Sequence, residues 1–117
     1  MDITNTNAEA VIERNRIINE GWSTINGNAE KIAAIKEERS TKLNKLAIYL
    51  LEGKPVSGRT MIENFHILSY RDAIYDLKKK GYEFKSRTLT HDGIQHEVWW
   101  LSMFTEEFMR QRDCTIW

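Results

Sequence analysis

Residues 57–81, SGRTMIENFHILSYRDAIYDLKKKG, decide how the chain is read. The stretch predicts two short helices joined by a tight turn. Ser57 is suited to an N-cap, and Met61, Ile62 and Phe65 give the first helix a short apolar face. After a turn around His66 and Leu68, Ser69 can cap a second helix. On that helix Tyr70, Ala73, Ile74 and Leu77 recur at i, i+3, i+4 and i+7, a stripe that faces a core. Lys78, Lys79 and Lys80 fall in its last turn, where cations suit the helix dipole, and Gly81 supplies a left-handed stop. Asp72, Tyr75 and Lys79 lie on the opposite face, with Arg71 and Lys78 on one flank. A helix with an apolar inner stripe and a partly basic outer face can lie in a major groove. The same pattern also describes an ordinary surface helix.

The residues that follow separate these readings. Residues 82–89 (YEFKSRTL) alternate apolar and polar side chains, residues 94–101 do so less cleanly, and Thr90-His91-Asp92-Gly93 between them is hairpin chemistry. Two helices followed by a hairpin with Lys85, Arg87 and His91 near its tip describe a winged helix-turn-helix. The fold class expected is mostly α with a small β-hairpin wing. An N-terminal helical hairpin precedes the winged unit and a short C-terminal helix follows it. The chain divides into a helical extension (1–40), the winged unit (41–102) and a helical tail (103–117).

In the extension, Val11, Ile12, Ile18, Trp22 and Ile25 fall at mostly helical spacings from Ala8 onward, although Asn15 interrupts the stripe. Gly21 weakens that helix by about 1 kcal/mol relative to alanine and can end or bend it. Asn26-Gly27-Asn28 is a strong break. A second helix is then expected to run unbroken to Gly53: Ser40-Thr41 could cap a new helix, but no Glu or Gln follows to close a capping box. Leu43, Leu46, Ala47, Leu50 and Leu51 make its second half the better amphipath. Ile32 and Ile35 in its first half form too narrow a stripe for a core. Val11, Ile18, Trp22, Ile25, Ile32 and Ile35 together exceed what a two-helix hairpin can bury, and pairing two copies into a homodimer would cover the surplus. The alternative is that the hairpin folds back on its own winged unit.

In the wing, Tyr82 and Phe84 should share one face, as should Trp99 and Leu101, which leaves Val98 and Trp100 on the other face in need of cover. The tail can supply it. Thr105 can cap a short helix with Glu106 and Glu107 in its first turn, followed by Phe108 and Met109. Cys114, Ile116 and Trp117 then add apolar surface expected to dock.

These pieces carry a family resemblance. KLAIYLLEGKPVSG, Ile67 ahead of the second helix, IYDLKKKGYEF, and the aromatic-x-leucine pair Trp99 and Leu101 resemble the short winged helix-turn-helix domains of bacteriophage and prophage proteins. The resemblance covers about residues 43–101 and implies a DNA-docking geometry. The sequence departs from the family in two places. Phe65-His66 stands where a glycine is frequent, and Ala73 where many members carry an arginine.

Composition bounds the rest. The 117 residues make one domain, and 41% apolar with 29% charged residues is ordinary for a globular protein. No apolar run approaches a membrane span, and no leader pattern opens the chain, so a cytoplasmic protein without membrane partners is expected. One cysteine excludes an internal disulfide and a cysteine-based zinc cluster. His91, His96 and Asp92 lack a third well-spaced metal ligand. Adjacent Glu106 and Glu107 diverge on a helix, and no phosphate-binding glycine loop is present. Neither catalysis nor a cofactor is expected. The net charge is zero, but residues 54–102 carry net +2 and residues 69–91 net +3. That surplus predicts weak non-specific binding to duplex DNA.

Two functions follow. As a small DNA-binding regulator, Ser69, Arg71, Asp72 and Tyr75 would face bases or sugars, with Lys78, Lys79, Lys80, Lys85 and Arg87 on phosphates. As a protein-binding inhibitor, the same scaffold would occupy a host factor such as a polymerase or a defence nuclease.

Overall fold

A computed structural model describes residues 3–113 and 116–117, with side chains from residue 8 onward. The described chain is mostly helical with one small antiparallel sheet. Helices α1 (Ile3–Gly27) and α2 (Ala29–Glu37) open it. α1 starts ahead of the expected Ala8 and runs through Gly21 without a break. The reason is packing: Gly21 is buried, and a Cβ there would stand 2.2 Å from carbons of the Phe108 ring. The glycine marks a close approach between elements rather than an end. At Asn28, too, no reversing loop forms. That residue keeps right-handed helical dihedrals (φ −85°, ψ −4°), and its N–H still reaches the Thr24 carbonyl at 3.1 Å. The expected helical hairpin is therefore replaced by two helices in sequence, the second lying against α3 (Lys42–Leu51).

The single helix expected from Asn28 to Gly53 is two. Glu38 turns extended, and α3 starts afresh behind Thr41, whose hydroxyl accepts the Asn44 N–H at 3.0 Å. Asn44 occupies the position where a capping box has Glu or Gln, and its amide instead donates to the Arg39 carbonyl at 2.7 Å. One bond of a capping box, the Thr41 hydroxyl on the Asn44 N–H, therefore forms, and the reciprocal bond to the Thr41 N–H is replaced by the tie to Arg39. Behind it Leu46, Ala47, Leu50 and Leu51 are all buried.

β1 (Val56–Ser57), α4 (Gly58–Phe65) and α5 (Tyr70–Lys79) follow. Ser57 caps α4 as expected, accepting the Thr60 N–H at 3.1 Å, whereas Ser69 precedes α5 without a side-chain cap bond. His66 ends α4 in the left-handed region (φ 56°, ψ 35°). That conformation explains why a glycine suits the position, since a side chain there costs roughly 1–2 kcal/mol. Met61 is buried, Phe65 packs edge-on against Tyr49 with centroids 5.1 Å apart, and Ile62 stays exposed. On α5, Ala73, Ile74 and Leu77 are buried and Tyr70 lies against Trp99.

The hairpin strands are β2 (Phe84–His91) and β3 (Ile94–Leu101), so Tyr82 precedes the strand instead of joining it. Asp92 (φ 52°) and Gly93 (φ 78°) both take positive φ, the requirement of a tight two-residue hairpin turn. The sheet order is β1-β3-β2, with Val56 opposite Trp99 and Phe84 opposite Leu101. β3 is thus the middle strand, and Val98, Trp99, Trp100 and Leu101 are all buried. α6 (Glu106–Arg112) is capped by the Thr105 hydroxyl and buries Phe108 and Met109. Ile116 and Trp117 dock as expected, Trp117 edge-on to Trp100 at 5.6 Å, while Cys114 lies outside the described residues.

Four substitutions test this packing by denaturant unfolding. Leu50→Ala and Leu77→Ala should each cost about 2–5 kcal/mol, as buried large-to-small changes do. Gly21→Ala should destabilise by about 1–3 kcal/mol, because overpacking against Phe108 outweighs the gain in helix propensity. His66→Gly should stabilise by about 0.5–1 kcal/mol, since the left-handed position carries no Cβ penalty for glycine.

Candidate nucleic-acid interface

The outward face of α5 is free of the rest of the fold. Ser69, Arg71, Asp72, Tyr75, Lys78, Lys79 and Lys80 are all exposed, as their positions opposite Ala73, Ile74 and Leu77 require. Tyr75 is 58% exposed, and the Lys79 ammonium sits 4.6 Å from its ring centroid. Arg71, Lys78 and Lys80 have no ion-pair partner among the described residues, so their charge is available to a ligand. Ala73 is buried on the inner face of α5 with Ile74 and Leu77. Its lack of an arginine side chain therefore removes no cation from this outward face.

The two wing cations are not part of that surface. Directly opposed residues of an antiparallel pair share a face of the sheet. Lys85 is opposite Trp100 and Arg87 opposite Val98, whereas α5 covers the face that bears Trp99. Lys85 and Arg87 therefore lie on the tail side of the sheet. Lys85 is also at the base of the hairpin, far from the tip where it was expected. Arg87 is held by Glu106 of α6 at 2.8 Å, and Glu106 in turn faces Arg110 at 3.6 Å. His91 does reach the tip, where its ring nitrogen Nε2 meets the Ile116 carbonyl at 3.0 Å.

In their place the structure brings up residues that periodicity alone did not single out. Thr88 and Glu97 are paired, as are Thr90 and Gln95, on the α5 side of the wing. Together with Arg59, Ile62 and Glu63 of α4, and with Tyr70, Arg71 and Trp99, Thr88, Gln95 and Glu97 line a cleft of about 520 Å³ between the helices and the wing. Arg59 and Glu63 are bridged at 2.9 Å in an exposed pair of the kind worth only ~0–1 kcal/mol, so the guanidinium is readily given up to a stronger partner. Arg59 lies one residue after Gly58, and its spacing from Glu63 was the available signal. Thr88 and Gln95 required the strand register, which the sequence does not state.

The six residues expected at a dimer interface divide. Ile32 and Ile35 pack against the chain's own core as α2 folds onto α3, and Ile25 of α1 does so beside Gly53. Val11 remains 52% and Trp22 46% exposed, and Ile18 is half-buried.

Among the described residues no group of three His, Cys, Asp or Glu side chains gathers, and no helix is long and apolar enough to cross a membrane. No protein-family model, no curated protein and no solved structure matches the chain.

The face assignment has a direct test. Lys85→Ala should leave duplex affinity within about twofold of the parent protein, whereas Lys79→Ala should lower it several-fold in the same titration; each lost phosphate contact removes about one unit of salt slope. Equal losses at both positions would place both cations on the ligand.

Proposed function

We propose that residues 41–102 form a winged helix-turn-helix that binds duplex DNA, as a small regulator of the bacteriophage type acting as a homodimer. The observation that carries this reading is the unencumbered face of α5, with Arg71 and Tyr75 at its centre and Lys78–Lys80 at its end, beside a two-stranded wing. The order α3-β1-α4-α5-β2-β3, with β3 between the other strands, supports it as well. In this mode α5 enters the major groove. Arg71 has the fork geometry for a guanine edge, Ser69 and Tyr75 offer hydroxyls, and the three lysines meet phosphates. The cleft beside α5 takes one DNA strand between Arg59 and the Thr88 and Gln95 side chains of the wing. With the wing cations turned away, the footprint is small and affinity depends on two half-sites being engaged together.

A second reading, a protein-binding inhibitor of a host factor, draws on exposed apolar groups. Leu68, just ahead of α5 and beside Asp72 and Asp76, is 80% exposed, and Ile94, opposite His91 on the tail side of the hairpin, is 61% exposed. Exposed apolar side chains of this size suit a protein partner better than a phosphate backbone.

Selection from a random duplex pool at low salt, followed by titration, decides between them. Binding is expected, with Lys78→Ala and Lys79→Ala weakening all sequences alike and Arg71→Ala or Tyr75→Ala altering the selected sequence, at about 1–3 kcal/mol per lost base contact. Absence of duplex binding at low salt would refute the DNA reading and leave the protein-binding one.

A further inference from the structure

We propose that α1 pairs with α1 of a second copy of this chain as a parallel two-stranded coiled coil, with Asn15 setting its register. The proposal rests on the dimeric reading above and names the interface and its orientation. Three observations carry it. The first is a spacing. Ala8, Val11, Asn15, Ile18 and Trp22 follow one another by alternating steps of three and four, the repeat of a supercoiled seam. Ala8, Val11 and Asn15 are exposed, Ile18 is half-buried, and Trp22 stays 46% exposed with the Arg112 guanidinium 4.9 Å from its ring centroid, so the N-terminal part of the seam is what one chain leaves open.

The second observation is direction. Ile17, Gly21 and Ile25 face the chain's own core. At roughly 100° per residue, that line lies about a third of a turn away from the seam. Ahead of Trp22, docking on the globule and pairing with another helix therefore use different sides of α1, and the two converge at Trp22 and Ile25, where Arg112 and the core meet the helix. Among the described side chains of α1, Ile17 is the most N-terminal one packed on the core, and residues 8–16 are all exposed. The molecule is correspondingly elongated, 57 Å in its longest dimension.

The third observation is charge. Arg16 bridges Glu13 and also Glu20, the latter at 2.7 Å, in a network that occupies the side of α1 away from the seam. Its hydrogen bond to Arg16 holds the Glu13 carboxyl below the usual carboxylate range. In coiled-coil terms these three residues take the outermost positions. Arg14, which flanks the seam, would meet an uncharged Asn19 of the other chain, so no like charges oppose one another.

Self-pairing in parallel is what Asn15 favours. With Ala8, Asn15 and Trp22 at a and Val11 and Ile18 at d, a parallel pair brings Asn15 against the same residue of its partner, amide to amide. An antiparallel pair opposes a with d and would leave the amide against apolar side chains. A seam of about two heptads is short, so micromolar rather than nanomolar association is expected.

Sedimentation of the full-length protein at about 100 µM, well above a micromolar Kd, is the first measurement. The protein is expected to be a dimer, Val11→Arg a monomer that still unfolds cooperatively, and Asn15→Leu a mixture of association states. In a Cys114→Ser background, Asn15→Cys should oxidise to a disulfide-linked dimer while Glu13→Cys, on the outer side, should not. A monomeric parent protein overturns the dimeric reading and this inference together, leaving DNA binding to be judged by its own titration. A dimer indifferent to Val11→Arg overturns this interface alone. A dimer lost with Val11→Arg but not cross-linked through Asn15→Cys overturns the parallel register.

Discussion

Four consecutive apolar residues on a central strand, Val98, Trp99, Trp100 and Leu101, set the terms for the rest of the molecule. All four are buried, so both faces of β3 need cover. One face is closed by the helices, with Tyr70 against Trp99 at 5.9 Å between centroids. The other is closed by the tail, with Trp117 against Trp100. Two faces that each carry a tryptophan bury more apolar area than a one-sided hairpin could, and each aromatic contributes through its edge contacts as well. The orientation of α5 follows. Its inner stripe is committed to this sheet and to α3, and its polar face is turned outward as a consequence.

The tail that covers the second face also anchors the N-terminal region. Phe108 of α6 meets Gly21 of α1, and the Arg112 side chain donates to the carbonyls of Glu52 and Gly53 at 3.1 and 3.2 Å. Those carbonyls end α3, where the dipole favours a cation, so a guanidinium there satisfies acceptors the helix itself leaves open. The same guanidinium lies 4.9 Å from the Trp22 ring centroid. One arginine of α6 therefore ties the C-terminal end of α3 to α1.

Much of this was legible in the sequence because local chemistry and global packing agree. The Ser57 and Thr105 caps, the α5 stripe, the Asp92-Gly93 turn and the need to cover Trp100 each rest on residues whose effect is short-range. The misreadings share another origin. Thr41 caps α3 through its own hydroxyl on the Asn44 N–H, and Asn44 ties back to the Arg39 carbonyl, so the helix starts without the Glu or Gln that would signal it. Gly21 reads as a helix breaker by propensity but is a contact site by packing, and packing wins when an aromatic ring fills the space. Lys85 and Arg87 were placed by their nearness to the turn in sequence. Which side of the sheet they occupy depends on strand parity relative to Trp99 and Trp100, a long-range fact. The outward face of α5 followed from a single period and was recovered whole, whereas the cleft needed three elements and was not.

The disposition of the cations ties these points together. Arginine forms planar, multi-contact pairs, and here Arg16, Arg87 and Arg112 are engaged with carboxylates or helix-end carbonyls of the fold itself. Lysine is a strongly hydrated point charge, and Lys78 and Lys80 on α5 keep theirs free of ion pairs among the described residues. A zero net charge therefore does not describe the surface a ligand meets: part of the positive charge is spent inside the structure against acids that never face α5. Arg71 is an arginine on the outer face of α5 without an ion-pair partner among the described residues. The formal balance of the chain and the local balance of its exposed helix are thus different quantities, and recognition answers to the second.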